Sequence, residues 1–300
     1  MPIYHLCALL ATEAFRRVLV LLLCFVFVSA FPSSGLSQVK KNGALTFSTE
    51  DVERLHHIHT LLLTGTASTW LNLPAPPFNA LVTVKRKLQE AGFQVVLDSA
   101  TPHDATMDIQ YKEMPNGQFQ ILSQGTQLML QTRLHHPQIG EIFSRTFSAS
   151  TNPIPLKSLY WDAVQNLEED PYFFYFGDIV KGWVEDQEPA SSVLTHMLRR
   201  PYQNETGNDL DDEYGKAFLR NKARLNTIKE TRQWPKSQAE DILWDLAEHA
   251  IPEERSAAAN VLGSIGDASF LPRLSQLAVN DPDTTVRFAI QEAIRIINSK

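Results

Sequence analysis

The residues best placed by type and spacing to do chemistry are Glu53, His56, His57 and His59. On a helix, Glu53 and His56 stand one turn apart, as do His56 and His59. A Glu-x-x-His step of this kind can set two ligands on one metal. A working site would need further ligands, and His135-His136 is the only other histidine pair. The plainer reading is a polar helix face beside an apolar stripe of Leu55, Ile58 and Leu62. It is preferred because so short a match recurs by chance. The expectation is therefore no catalytic residue, no cofactor and no metal. Glu53, His56 and His59 stand as the ligands of an alternative reading, a metal-dependent enzyme with its site in the N-terminal domain.

Other chemistry finds less support. Glu168-Glu169-Asp170 supplies adjacent carboxylates, but three in a row point in different directions, and capping explains them as well as acid–base work does. Asp209, Asp211 and Glu213 alternate like calcium ligands. Tyr214, however, stands where such a loop needs glycine, and Arg220 where it needs the closing glutamate. There is no Gly-x-Ser-x-Gly, and the 13 glycines are scattered, with no phosphate-cradling loop.

The elements that would position such residues begin after an export signal. Arg16-Arg17 precede the apolar run Val18–Val28, and Val28-Ser29-Ala30 offers a cleavage site. This is the layout of a signal peptide over residues 1–30. An uncleaved N-terminal anchor is the alternative, although the run falls short of the roughly 20 residues that span a bilayer. Residues 31–44 read as a loose leader. Both cysteines, Cys7 and Cys24, fall in the signal, so the mature chain would hold none, which rules out disulfides, thiol catalysis and cysteine-bound zinc. The expected place is periplasmic or secreted, with no membrane insertion after cleavage. A net charge of −7 and a pI near 5.7 argue against nucleic acid as a partner.

Residues 45–186 read as a two-layer α+β domain. Ser48-Thr49-Glu50-Asp51 opens a helix expected to reach Leu63, with Gly65 ending it. Pro74, Pro76 and Pro77 break the chain, and a second helix runs to Ala91 with Gly92 as its cap. The period then changes to two. Strands are expected at Phe93–Leu97, Ala105–Tyr111, Gln127–Leu134 and Ile142–Phe147, with a hairpin at Asn116-Gly117 and a return strand through Phe119. Helices resume at Leu156–Leu167 and Pro171–Val184. The latter carries Tyr172, Phe173, Phe174, Tyr175 and Phe176, expected to be buried between two domains. Residues 187–215 read as a polar linker with a short helix at Val193–Leu198. They include Asn204-Glu205-Thr206, which has the form of a glycosylation acceptor.

Residues 216–300 are helical. Ser237 and Glu240 suggest a capping box, Gly266 a left-handed cap, and Asp267 and Asp281-Pro282 helix starts. Arg255, Ala257, Val261 and Leu262 lie thirty-two positions before Arg287, Ala289, Ala293 and Ile294. Leu243 and Leu246 precede Leu274 and Leu277 by thirty-one. With Leu262-Gly263, Gly266-Asp267 and Asp281-Pro282 followed by Val286-Arg287, this stretch resembles the HEAT repeats, closest to the short type of the phycobilisome lyases. The resemblance implies a small all-α repeat domain that scaffolds or binds protein, with no shared active site. About two repeats are legible, fewer than the three or so that stand alone, so something must cover the exposed end. The expected function is an exported, non-enzymatic scaffold with an unidentified protein partner. Arg255 and Arg287 are the candidate contact residues, or else braces between helices.

Overall fold

The computed structural model describes residues 47–69, 78–120, 123–151, 159–200 and 210–300. All of them belong to one compact unit, Val39–Lys300. The signal, the leader, the Pro74–Pro77 break, the glycosylation triplet and Asp209 lie outside the described residues.

Helix α1 (Thr49–His56) starts on a capping box: Ser48 Oγ accepts from Asp51 N, and Asp51 Oδ2 accepts from Ser48 N, both at 3.2 Å. It does not reach Leu63. Thr60–Ser68 is instead strand β1. Leu61 and Leu63 are buried on one sheet face, and Asp104 Oδ2 accepts from His59 N (2.9 Å) and Thr60 N (2.7 Å), pinning the entry to the strand. Gly65 is therefore no helix cap. A Cβ there would meet Ile109 O and Leu81 Cδ1 at 2.9 Å, so glycine lets helix α2 (Ala80–Glu90) lie close on the sheet. Gly92, at φ 102°, closes α2 as expected.

The sheet runs β2-β1-β3-β4-β5, with β2 at Gln94–Val96, β3 at Ala105–Gln120, β4 at Ser123–His136 and β5 at Gly140–Ser150. β1 is parallel to β2 and β3, and the other pairs are antiparallel. The hairpin expected at Asn116-Gly117 does not form. β3 passes through it with a register shift between Asn116 and Gln120. Asn116 Nδ2 donates to Thr151 O (2.9 Å), and Gly125 opposite sits so close to Thr151 O that a Cβ would lie 2.5 Å away. Helices α3 (Leu159–Glu168), α4 (Pro171–Phe174) and α5 (Phe176–Asp186) complete the helical layer. The α+β class is as expected.

The aromatic run explains how the two halves join. Asp170 caps α4, accepting from Tyr172 N and Phe173 N at 2.9 and 3.0 Å. The helix breaks at Tyr175, so the five rings point different ways. Phe173 and Phe176 enter the core under the sheet, while Tyr175 enters a second, helical core that extends to Ile297. That core is built from α6 (Ala190–Arg199), α7 (Leu210–Glu230), α8 (Lys236–His249), α9 (Pro252–Ile265), α10 (Leu271–Asn280) and α11 (Thr284–Asn298).

Three local expectations are corrected here. Ser237 lies inside α8, whose N-cap is Pro235 with no side-chain bond. Gly266 is extended (φ −73°, ψ 165°), and a Cβ there would meet Leu262 O and Phe270 Cδ2 at 2.5 Å. The N-cap of α11 is Asp283, which accepts from Thr285 N (2.7 Å) and Val286 N (3.1 Å), because Asp281 is engaged elsewhere. Asp267 does open a 3-10 turn, Ala268–Phe270, ahead of α10.

Candidate protein-binding surface

The six C-terminal helices stack as pairs in two rows. α7, α9 and α11 lie side by side, and α6, α8 and α10 form the second row. Between α8 and α10, Trp244 packs against Phe270 (5.3 Å between centroids), and Arg273 lies over the Trp244 ring while its Nε donates to Glu248 (2.7 Å). Between α9 and α11, Gly263 permits close approach, since a Cβ there would stand 2.7 Å from the Ala293 Cα. α6 and α7 thus supply the pair that covers one end of the stack, and α4 and α5 pack behind them.

An arginine recurs at the same place in each pair. Arg224 donates to Met197 O (2.8 Å) and Leu198 O (3.2 Å) at the end of α6. It also forms a two-point pair with Glu254 of α9 at 2.6 and 3.0 Å, with side-chain exposures of only 6% and 1%. Arg255 donates to Ala250 O (2.8 Å) just past α8, and pairs at two points with Asp281 (2.8 and 2.9 Å). Burial pushes the Asp281 carboxyl up, but the Arg255 guanidinium and the Asp283 N–H outweigh it and hold it below the ordinary carboxylate range. Arg287 donates to Asp281 O (2.7 Å) and Pro282 O (3.1 Å), past α10. Among the described residues it makes no carboxylate pair, because the Asp281 oxygens are held by Arg255. The structure thus brings Arg255 and Arg287 together around the Asp281 turn. Arg224 was missed in the sequence, though it lies thirty-one positions before Arg255.

At the far end of the stack, Val279 (80% exposed) and Phe288 (71%) project into solvent from α10 and α11. Only Leu274 of α10 is buried.

The histidine constellation is not assembled. Glu53 and His56 are exposed on α1, and His59 lies beyond its end, exposed, at the entry to β1. The one-turn spacing of His56 and His59 is lost because the helix stops between them. His136 Nδ1 instead accepts from Gln138 N and Ile139 N in the turn after β4. Among the described residues no three histidine or acidic side chains cluster as metal ligands. Buried polar groups in the sheet half tie its elements together. Glu113 Oε1 accepts from Tyr111 Oη (2.9 Å) and Tyr160 Oη (3.0 Å), tying α3 to β3, and burial raises both phenols. Lys87 donates to Phe174 O (3.1 Å), fastening α2 to the end of α4. Among the described residues no helix is long and apolar enough to cross a membrane.

Comparison with known proteins agrees with this geometry at one end of the chain. Residues 220–295 match the family model of the HEAT repeats. No curated protein matches the chain closely enough to count as a relative. Among solved structures, lipoprotein GNA1162 from Neisseria meningitidis is similar at 16% identity and a TM-score of 0.25, over 35% of this chain and 92% of that one. A minor lipoprotein from Acinetobacter baumannii is similar at 17% identity and a TM-score of 0.26, over 44% of this chain and 95% of that one. The family match is thus confined to the C-terminal helices, residues 220–295, and is to the HEAT repeats.

Proposed function

We propose that this chain is an exported, non-enzymatic scaffold that binds another protein through its HEAT repeats. The observation that carries the reading is the apolar exposure of the last described helix pair. Stacked pairs bury a continuous core only where each pair has a neighbour, and a terminal pair that stays in solvent normally turns a polar face outward. Here α10 and α11 expose Val279 and Phe288 instead. Export rests on the N-terminal sequence, in which a basic pair, an apolar run and a small-residue cleavage site follow one another and hold both cysteines. A scaffold role for the repeats, with no assigned catalytic residue, fits internal polar pairs spent on bracing.

The test is crosslinking of the mature protein in its native host, followed by mass spectrometry of the crosslinked residues. Crosslinks from residues 271–298 to one recurrent protein, lost in a Val279→Asp, Phe288→Asp double variant that still folds, are the expected result. Recurrent crosslinks confined to residues 47–186, or none at all, would overturn the reading.

A further inference from the structure

We infer that the partner completes the arginine series: a helical partner segment lends an aspartate or glutamate to Arg287 while covering Phe288 and Val279. The inference rests on the scaffold reading above and deepens it.

Two rungs are complete within the chain, each an arginine that grips carbonyls behind it and a carboxylate from the pair ahead. These are Arg224 with Glu254 and Arg255 with Asp281. Arg287 has the first half of the arrangement, the carbonyls of Asp281 and Pro282, and among the described residues no carboxylate supplies the second. A guanidinium held by one edge presents its remaining N–H groups as a fixed fork, which suits a carboxylate better than any other common side chain.

The exposed apolar residues fall where a further pair would sit. Val279 lies thirty-one positions after Glu248, and Glu248 is the residue that receives Arg273 from the following pair. Phe288 is Arg287's neighbour on α11. Two exposed apolar side chains, and an arginine that pairs with no carboxylate among the described residues, give the last helix pair an apolar surface with a positive point, which favours a partner of the opposite pattern. A second copy of this chain fits poorly. The acid nearest this end on α11, Glu292, is already paired with Arg295 of the same helix. The opposite end of the stack, which a head-to-tail copy would need, is covered by α4 and α5.

The test places a photoreactive benzoylphenylalanine at position 288, and separately at Gln276 and Arg295, in the full exported chain expressed in its native host. The expected result is one recurrent protein at position 288, crosslinked within a helical segment that carries an aspartate or glutamate. Arg287→Glu lowers that crosslink at least about tenfold, and changing the partner's acid to arginine restores it. Melting curves of Arg287→Glu check that the turn survives. A Val279→Lys variant, which leaves the brace intact, should lose the crosslink as well. Crosslinks at 276 or 295 with none at 288, or a crosslink at 288 indifferent to Arg287→Glu, would overturn the inference and leave the scaffold reading standing. A crosslink from 288 to another copy of this chain would overturn it in favour of self-association. No recurrent protein at any of the three positions would remove the scaffold reading itself.

Discussion

Two charged side chains sit where water is scarce, and each makes a measurable claim. Glu254 is almost fully buried, and its charge is tolerated because Arg224 meets both oxygens. Removing one partner of a buried pair strands the other, at about 3–5 kcal/mol. Glu254→Ala should therefore lower the free energy of unfolding by that amount in urea titrations, far more than breaking the exposed Arg86–Glu90 pair, where about 0.5 kcal/mol is expected. Lys87 makes a claim about pH. Burial, and then Arg86, pull its ammonium down to about 8 against the pull of Glu168, Glu90 and Asp178. An unfolded lysine keeps its proton to about pH 10.4. Between the two values the unfolded chain binds more protons, so stability rises with pH. The phenols of Tyr111, Tyr160, Tyr172 and Tyr175, raised chiefly by burial, act in the opposite sense once unfolded tyrosine ionises near pH 10. Stability should climb by about 1 kcal/mol between pH 8 and 9.5 and fall above 10. Lys87→Met should abolish the climb, as read from urea midpoints across that range.

At the scale of elements, short-range pattern and long-range pairing part company. The repeat helices were legible because Val286, Ala289, Ile290 and Ala293 mark one helix face that the fold does bury. β1 was not, because Leu61-Leu62-Leu63 satisfies a helical and a strand period alike. Pairing with β3 and the Asp104 bonds, forty-five residues from His59, decide the matter. The one-turn spacing of His56 and His59 goes with it, since it needs a helix that continues past His56. Asn116-Gly117 carries a strong turn signal, but the Asn116 side chain is drawn to Thr151 and the strand runs on. The pair α6–α7 was hidden because the contacts of Arg224 reach helices on both sides of it. Gly263 was visible as a matching position, but its reason was not: it is the point where α9 and α11 nearly touch. Gly263→Ala should force α11 outward and destabilise the fold by about 1–3 kcal/mol, measurable as a lower thermal midpoint with the far-ultraviolet spectrum unchanged.

Across the whole molecule, the two cores share one short stretch of chain. Phe173 and Phe176 belong to the first, Tyr175 to the second, and Tyr172 and Phe143 pack against both. Losing either core uncovers aromatic surface belonging to the other, so unfolding should be a single cooperative event. Fluorescence from Trp183, which donates to Ile142 O in the sheet half, and from Trp244 in the repeat half should report one common midpoint in variants retaining only that tryptophan. Two separated transitions would show that the halves unfold independently.

The same aromatic stretch bears on how the protein would behave under load. Asp170 fixes the start of α4 and Tyr175 turns the chain directly into α5, so a five-ring splice stands where many two-part proteins have a leash. A cargo seized at the tip of the repeats would be presented at one set angle to the sheet, and a pull on it would pass into the sheet as torque before any slack was taken up.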